Sequence, residues 1–393
     1  MATPVKTLIV VSHPVQYSSH LYRLYAADSR LDLTVAYCSL RGAERTVDPE
    51  FGAEYAWDVP LMDGYRWEYP VNRSPGLPGP LSLVNPGLWK LITRGRFDVV
   101  ACLGWWAVSF WIAAVAAKVS GSALIFSTDA HTIEPYDGSP WKVPIKRWVI
   151  PRIVGFGDGI LAMSDPVASF LAALKIPASS IFVTPYAVDT QFFAERADVV
   201  DREQVRLEWA IPSDALVALF VGKFIPRKRP EDLIAALEQA PDCYGVFAGD
   251  GEMRDSLIED ARNRGLQDRV RFIGFVNQTG LPAVYASADV LVVPSDHEYL
   301  AYVVNEAFAC GRPAIVTTAC GPAGDLVIEG ETGMVVPVRD PTSIAKALNR
   351  LTADRQLAGR MGVQARRKLD DWGPRENASA FAEACVELAR RRK

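Results

Sequence analysis

The sequence predicts an α/β chain of two Rossmann-like doubly wound domains facing across a cleft. Three observations carry this. Strand-length apolar runs alternate with helical runs in the first half, the same alternation resumes after a charged junction, and 393 residues suffice for two full cores at ~150 residues per domain. In the first half, strands are expected at 7–12, 31–37, 98–103, 123–126 and 159–163, with a helix from Ser19 after the first. Between Gly42 and Pro86 the pattern lapses into a long insertion rich in Pro, Gly and aromatics, the kind of loop that is often functional. After Pro185 the charge density rises through AERADVVDREQVRLEWAIPSD, read as the interdomain region. The second series has strands at 215–221, 244–248, 270–273, 290–293 and 314–317, with helices from Glu231, Met253, Leu281 and Tyr302. The domains are therefore set at 1–190 and 191–372, followed by a helix within 373–393. Ligands of such sheets bind beyond the carboxyl ends of the strands, so chemistry is sought in the loops that follow them.

Composition narrows the partners. With 42 Lys plus Arg against 46 Asp plus Glu, the net charge of -4 argues against nucleic-acid binding, which depends on neutralising phosphates. The six cysteines form no C-x-x-C pair, so buried free thiols in a reducing compartment are expected. The apolar run near the N-terminus is too short for a signal peptide, and the chain is read as unexported and cytoplasmic. Residues 99–117 are uncharged and long enough to span a membrane. Their break at Gly104, between a β-rich run and an Ala-rich one, predicts instead a buried strand, a turn and a buried helix.

The strand-end loops hold the candidate chemistry. After 215–221 comes Gly-Lys-Phe-Ile-Pro-Arg-Lys-Arg-Pro, with Lys223 and Lys228 five apart, where a phosphate would meet cations and free N–H groups. A solvated basic turn is the alternative. In YGVFAGDGEMR, Gly249, Asp250 and Gly251 stand between a strand and a helix, and glycines there let a ligand approach the backbone. A dinucleotide site would want a third glycine where Arg254 stands, so a mononucleotide is the better fit. Further on, Glu298 and Glu306 are eight apart. With a helix beginning near Tyr299 the pair would span ~12 Å along its axis, enough to reach both ends of a sugar nucleotide. Carboxylates suit diol recognition because each accepts several hydroxyl hydrogen bonds. A capping residue and a structural buried acid are the alternative.

In this order the loops resemble those of the retaining family-4 glycosyltransferases of the GT-B fold. The resemblance rests on Gly222-Lys223 with Lys228, Gly249-Asp250-Gly251, Val270-Arg271-Phe272-Ile273-Gly274, Glu298 with Glu306, and Ala309-Cys310-Gly311-Arg312-Pro313. It implies transfer of a sugar from a nucleotide-diphosphate sugar to a saccharide, lipid-linked or small-molecule acceptor, with retention, and a terminal helix at 376–391 that crosses back to the first domain; no D-x-D motif occurs in a strand-end loop, so no obligatory metal or cofactor is expected. Lys223 and Lys228 would stabilise the departing diphosphate, Glu298 would hold the sugar and Glu306 the ribose, while the G-D-G turn and Phe275 frame the nucleotide. His131, with Asp129 second, is the candidate near the donor sugar, and His13 and Gln16 lie in the loop after the first strand. Lys223 stands where the family more often has Arg, and Leu300 and Ala301 replace its aromatic and glycine. A sugar-nucleotide epimerase and a non-catalytic nucleotide-sugar-binding subunit are the alternatives. Within 141–152, Trp141, Lys142, Lys146, Arg147, Trp148 and Arg152 mix aromatics with cations, which suits peripheral membrane contact or a core-packing helix with a solvated basic face.

Overall fold

A computed structural model describes residues 3–43, 46–48, 53–134 and 139–392. In chain order its elements are β1 (Val5–Val11), α1 (Gln16–Ala27), β2 (Leu31–Tyr37), β3 (Thr46–Asp48), β4 (Ala53–Tyr55), β5 (Arg66–Glu68), α2 (Gly87–Gly95), β6 (Val99–Cys102), α3 (Val108–Ser120), β7 (Ala123–Thr128), α4 (Lys142–Phe156), β8 (Gly159–Ala162), α5 (Asp165–Ala173) and β9 (Ile181–Val183). There follow α6 (Thr190–Ala197), α7 (Arg202–Glu208), β10 (Leu216–Val221), α8 (Pro230–Glu238), β11 (Cys243–Ala248), α9 (Arg254–Asn263), β12 (Val270–Gly274), α10 (Leu281–Ser287), β13 (Val290–Val293), α11 (Tyr302–Ala309), β14 (Ala314–Thr317), β15 (Gly333–Val336), α12 (Pro341–Ala353), α13 (Leu357–Lys368) and α14 (Pro374–Arg391).

These elements form two compact units. The first comprises Met1–Arg45, Pro60–Tyr186 and Pro374–Lys393, the second Thr46–Val59 and Ala187–Gly373. Neither is a continuous block of sequence: the hairpin β3–β4 groups with the second unit, and α14 with the first. In the second unit, Asn277 Nδ2 donates to the Ala56 carbonyl at 2.7 Å and the Thr279 hydroxyl donates to Asp58. The charge-rich stretch read as interdomain folds as α6 and α7. Arg206 of α7 is buried, donating to the carbonyls of Ser287, Ser213 and Ala215 and pairing with Asp289 at 2.8 Å. A buried guanidinium needs that many acceptors to offset its lost hydration.

Both sheets are parallel. The first has the order β5-β2-β1-β6-β7-β8-β9 and the second β12-β11-β10-β13-β14-β15. In each, the chain reverses its direction of travel across the sheet beside the first strand laid down at the centre, between β1 and β6 or between β10 and β13. Strand-end loops diverge there and leave room for a ligand. β6, β7 and β13 are buried along their whole length because helices cover both faces of a parallel sheet. The apolar stretch 99–117 resolves into β6 and most of α3, and among the described residues no helix is long and apolar enough to cross a membrane.

The helix α14 completes the core of the first unit. Phe381, Ala382, Cys385 and Leu388 join residues of β1, β2 and β6 in one apolar cluster, and the Phe381 ring stacks on Tyr25 at 4.3 Å. Asn377 accepts from the Tyr25 hydroxyl and donates to the Pro185 carbonyl. Phe381 is 1% exposed, so Phe381→Ala leaves a cavity. The expected cost is about 3–5 kcal/mol, read as a lowered denaturation midpoint for the first unit.

Candidate active site

In the second unit the sheet order sets the loop after β10 beside the loops after β11 and β13. Gly222 leaves β10 with φ +150°, and the backbone then lies against the turn that follows β11. Phe224 N–H donates to the Asp250 carbonyl at 2.8 Å, and Met253 N–H to the Phe224 carbonyl at 3.1 Å. Gly249 and Gly251 have φ of +151° and +152°. A Cβ on Gly249 would fall on the Gly222 carbonyl oxygen, and one on Gly251 would come within 2.6 Å of the Phe224 oxygen. These glycines are thus required by the packing of one loop backbone on another, a closer constraint than ligand approach. The Asp250 carboxylate accepts from Gly251 N–H at 2.8 Å and lies 3.9 Å from the Arg254 guanidinium.

Beyond Phe224 the chain makes a short turn at Pro226–Lys228, passes Arg229 with φ +51°, and enters α8. The turn delivers its cations to Glu298. Lys228 Nζ pairs with Glu298 Oε2, and Arg227 reaches the same oxygen at 3.2 Å while donating to the His297 carbonyl at 2.8 Å. Asp296 N–H donates back to the Arg227 carbonyl at 2.9 Å, which ties the two loops together. Arg229 is committed elsewhere, holding Asp232 through two bonds of 2.8 and 2.6 Å at the start of α8. Lys223 stands half-buried at the head of the loop.

Glu298 does not lie on a helix. The helix α11 begins at Tyr302, after Ala301 in the left-handed region with φ +43°, so the expected axial spacing of Glu298 and Glu306 does not apply. Glu298 instead sits in the loop after β13. Its N–H donates to the Ala319 carbonyl at 3.3 Å and its carbonyl accepts from Gly321 N–H at 2.7 Å. A non-glycine residue at φ +43° is unusual, which accounts for a glycine at the position of Ala301 in the resembling family.

Glu306 is on α11 as expected, and is 6% exposed. The Tyr285 hydroxyl of α10 donates to its Oε2 at 2.7 Å, and the Gln278 side chain is a second hydrogen-bond partner. Burial pushes the Glu306 carboxyl up to about 7, against the opposing pull of these two bonds. Phe275, half-buried, directly follows β12 and leads into the segment that carries Gln278.

The remaining candidates belong to the first unit. Asp129 and His131 follow β7, where the Thr128 hydroxyl accepts from Ala130 N–H at 3.2 Å. Burial holds the His131 imidazole below its ordinary value, against the opposing effect of Asp129. His13 follows β1 and shares a 2.9 Å hydrogen bond with the Ser12 hydroxyl. Burial, then Arg41, hold its ring below the ordinary value. Gln16 opens α1. All four stand at the carboxyl edge of the first sheet. Lys223, Lys228, Gly249, Asp250, Gly251, Phe275, Glu298 and Glu306 belong to the second unit. Sequence reasoning left Arg227, Tyr285 and Gln278 without a role. Arg227 lay within the quoted cationic run, whereas Tyr285 in LPAVYASAD has the look of an ordinary core aromatic. Among the described residues no group of three or more His, Cys, Asp or Glu is placed to hold a metal ion.

The comparisons with known proteins converge on one class. The family model described as glycosyl transferases group 1 matches residues 201–368, and that of a glycosyl transferase 4-like domain matches 14–187. A GDP-mannose-dependent alpha-(1-6)-phosphatidylinositol monomannoside mannosyltransferase of Mycolicibacterium smegmatis is 30% identical over 348 residues, spanning 84% of this chain and 87% of that protein. A D-inositol 3-phosphate glycosyltransferase of Actinosynnema mirum is 32% identical over 308 residues, spanning 70% of this chain and 69% of that one. Among solved structures, a glycosyltransferase from Rickettsia africae aligns with a TM-score of 0.78 at 16% identity, covering 98% of this chain and 99% of its own. Anabaena HepE in complex with UDP and glucose aligns with a TM-score of 0.72 at 17% identity, covering 98% and 100%. Fold and sequence together define a glycosyltransferase of GT-B architecture. The chain belongs to the group 1 glycosyl transferases.

The surroundings of Glu306 lead to a pH dependence. Its carboxyl is pushed up to about 7 in the folded chain from an ordinary value of 4.5, so the unfolded state ionises first. Stability from this group is complete below pH 4.5 and is lost as pH rises towards 7. Glu306→Gln is expected to remove that loss, on the order of 3 kcal/mol, and to flatten the denaturation midpoint between pH 5 and 8 relative to the native chain. Equal pH profiles for the two proteins would contradict the assignment.

Proposed function

We propose that this glycosyltransferase moves the sugar of a nucleoside diphosphate sugar to an acceptor hydroxyl with retention at the anomeric carbon. The observation that carries the reading is the meeting of Lys228 and Arg227 with Glu298 at the switch point of the second sheet. As the bond from the anomeric carbon to the phosphate oxygen breaks, negative charge grows on the diphosphate. Lys223, Arg227 and Lys228 supply fixed positive charge for it, and an electrostatic donor held in place before reaction is typically worth a few kcal/mol. The reading includes no resident metal or cofactor, because these side chains provide the counter-charge.

Glu298 both orients Lys228 and offers acceptor oxygens to the hydroxyls of the donor sugar. Glu306, steadied by Tyr285, is assigned to the ribose diol, beside the turn at Gly249, Asp250 and Gly251 and the backbone of Phe275. His131 and Asp129 are assigned, on the family resemblance, to polar contacts with the reacting sugar. Retention likewise rests on that resemblance. The printed names of the two relatives above contain a phosphatidylinositol mannoside and an inositol phosphate, which supports a polyol or lipid-linked hydroxyl as acceptor. The six free and buried cysteines support a reducing compartment such as the cytoplasm.

A thermal-shift and hydrolysis screen of nucleotide sugars tests the reading, with Lys228→Ala and Glu298→Ala beside the native chain. One donor is expected to raise the melting point, by an amount equivalent to roughly 2.7 kcal/mol at 100 times its dissociation constant. Lys228→Ala is expected to weaken that donor about 10- to 100-fold, the range for a lost charge-assisted hydrogen bond. The anomeric configuration of the product, read by NMR, decides retention. If no nucleotide sugar shifts the native chain, the reading fails.

A further inference from the structure

A second surface of distinctive chemistry lies on α4 of the first unit. The segment 139–157 carries Lys142, Lys146, Arg147 and Arg152 and no Asp or Glu, within a chain whose net charge is -4. Apolar side chains stand out on the same segment: Trp141 is 63% exposed, Trp148 61%, Ile145 50% and Phe156 38%. Their spacing is helical. At 3.6 residues per turn, positions 141, 145, 148 and 152 fall within a sector of roughly 60°, so two tryptophans, an isoleucine and an arginine form one stripe along the outside of the helix. Val154, on the opposite side, is buried in the core of the unit.

Arg152 lies within this stripe and Lys142 beside it, whereas Lys146 and Arg147 fall about 130° round the helix from its middle. The Arg152 guanidinium lies 3.9 Å from the Trp148 ring centroid and Lys142 Nζ lies 5.4 Å from that of Trp141. At the end of α4 the Phe156 ring meets Trp111 of α3 at 6.0 Å, and Lys118 Nζ, paired with Asp158 at 3.0 Å, lies 5.7 Å from the same ring. Val115 and Val119, 42% and 66% exposed, share that face of α3 and extend the apolar surface. Scattered exposed apolar residues are ordinary, but a continuous apolar stripe carrying cations on its own rings marks a docking surface.

We propose that this face of α4 docks the chain on an anionic lipid bilayer surface. Tryptophan suits the headgroup layer, where its ring is apolar and its N–H stays wet, and Lys and Arg lie along the apolar surface while their charges reach lipid phosphates. The charge pattern selects this occupant over a second copy of the chain, since a two-fold contact through the stripe would set its cations against one another. Contact through two tryptophans together with Lys142 and Arg152 gives two signals, apolar and electrostatic, of the kind stable peripheral binding requires. The proposal does not depend on which donor or acceptor the enzyme uses.

Flotation of the full chain with vesicles tests it. One set is phosphatidylcholine and the other phosphatidylcholine with phosphatidylglycerol. Binding is expected to the anionic vesicles, to weaken with added salt, and to fall about tenfold or more in the double variants Trp141→Ala with Trp148→Ala and Lys142→Glu with Arg152→Glu. Donor hydrolysis in the absence of vesicles is expected to stay unchanged in both variants, which shows that they fold. Equal binding to neutral and anionic vesicles, retention of binding in the variants, or a dimer that the tryptophan variant dissociates would overturn the proposal.

Discussion

The chemistry of the second unit depends on how closely two backbones approach. The segment 222–224 lies on the turn 249–251 with no room for a side chain between them, and the exit of the chain from β10 is fixed as a result. Phe224 is driven into the core against Phe220, Phe247 and Phe272. Burying such a ring is worth ~1.5–3 kcal/mol, which offsets the strain and entropy of three glycines held at positive φ. With Phe224 anchored, the turn that follows has one direction available, and Arg227 and Lys228 arrive at Glu298.

Two carboxylates in one unit therefore occupy contrasting settings. Glu298 is faced by two cations in a loop, while the hydrogen-bond partners found for Glu306 are the neutral side chains of Tyr285 and Gln278, inside an apolar helix. Placing similar groups in dissimilar environments is how a single fold obtains different roles from one residue type. A carboxyl poised near neutrality by burial is also well placed to respond to what binds it, because several hydroxyl donors arriving together favour its charged form.

Much of this was legible in the residues, and the misses have physical causes. Strand alternation, the split of the apolar stretch 99–117 and the grouping of the strand-end motifs all follow from periodicity and turn chemistry. The position of Glu298 did not follow, because the start of α11 is set by Ala301 in a conformation that alanine rarely adopts. The reach of β3–β4 to the second unit was equally hidden. It rests on partners such as Asp58 with Thr279, more than two hundred residues apart in sequence, which leave no local pattern. Gly249 and Gly251 were located correctly as special positions, yet what excludes a Cβ there is another part of the same unit. Tyr285 matters through its hydroxyl, while the sequence around it records only its burial.

The return of α14 to the first unit bears on the order in which the chain can fold as it is made. The first unit contains both β1 and α14, on either side of the second unit in sequence, and the cluster around Phe381 lacks one wall until α14 is made. Residues 187–373 emerge earlier and meet their main sheet partners within themselves. Domains generally fold as units during synthesis, N-terminal ones first. Here the usual order is inverted: the unit begun first is finished after the second, and one face of its sheet, with α1 in place, still lacks α14 while residues 187–373 are made, a demand that falls on chaperones or on the speed of elongation.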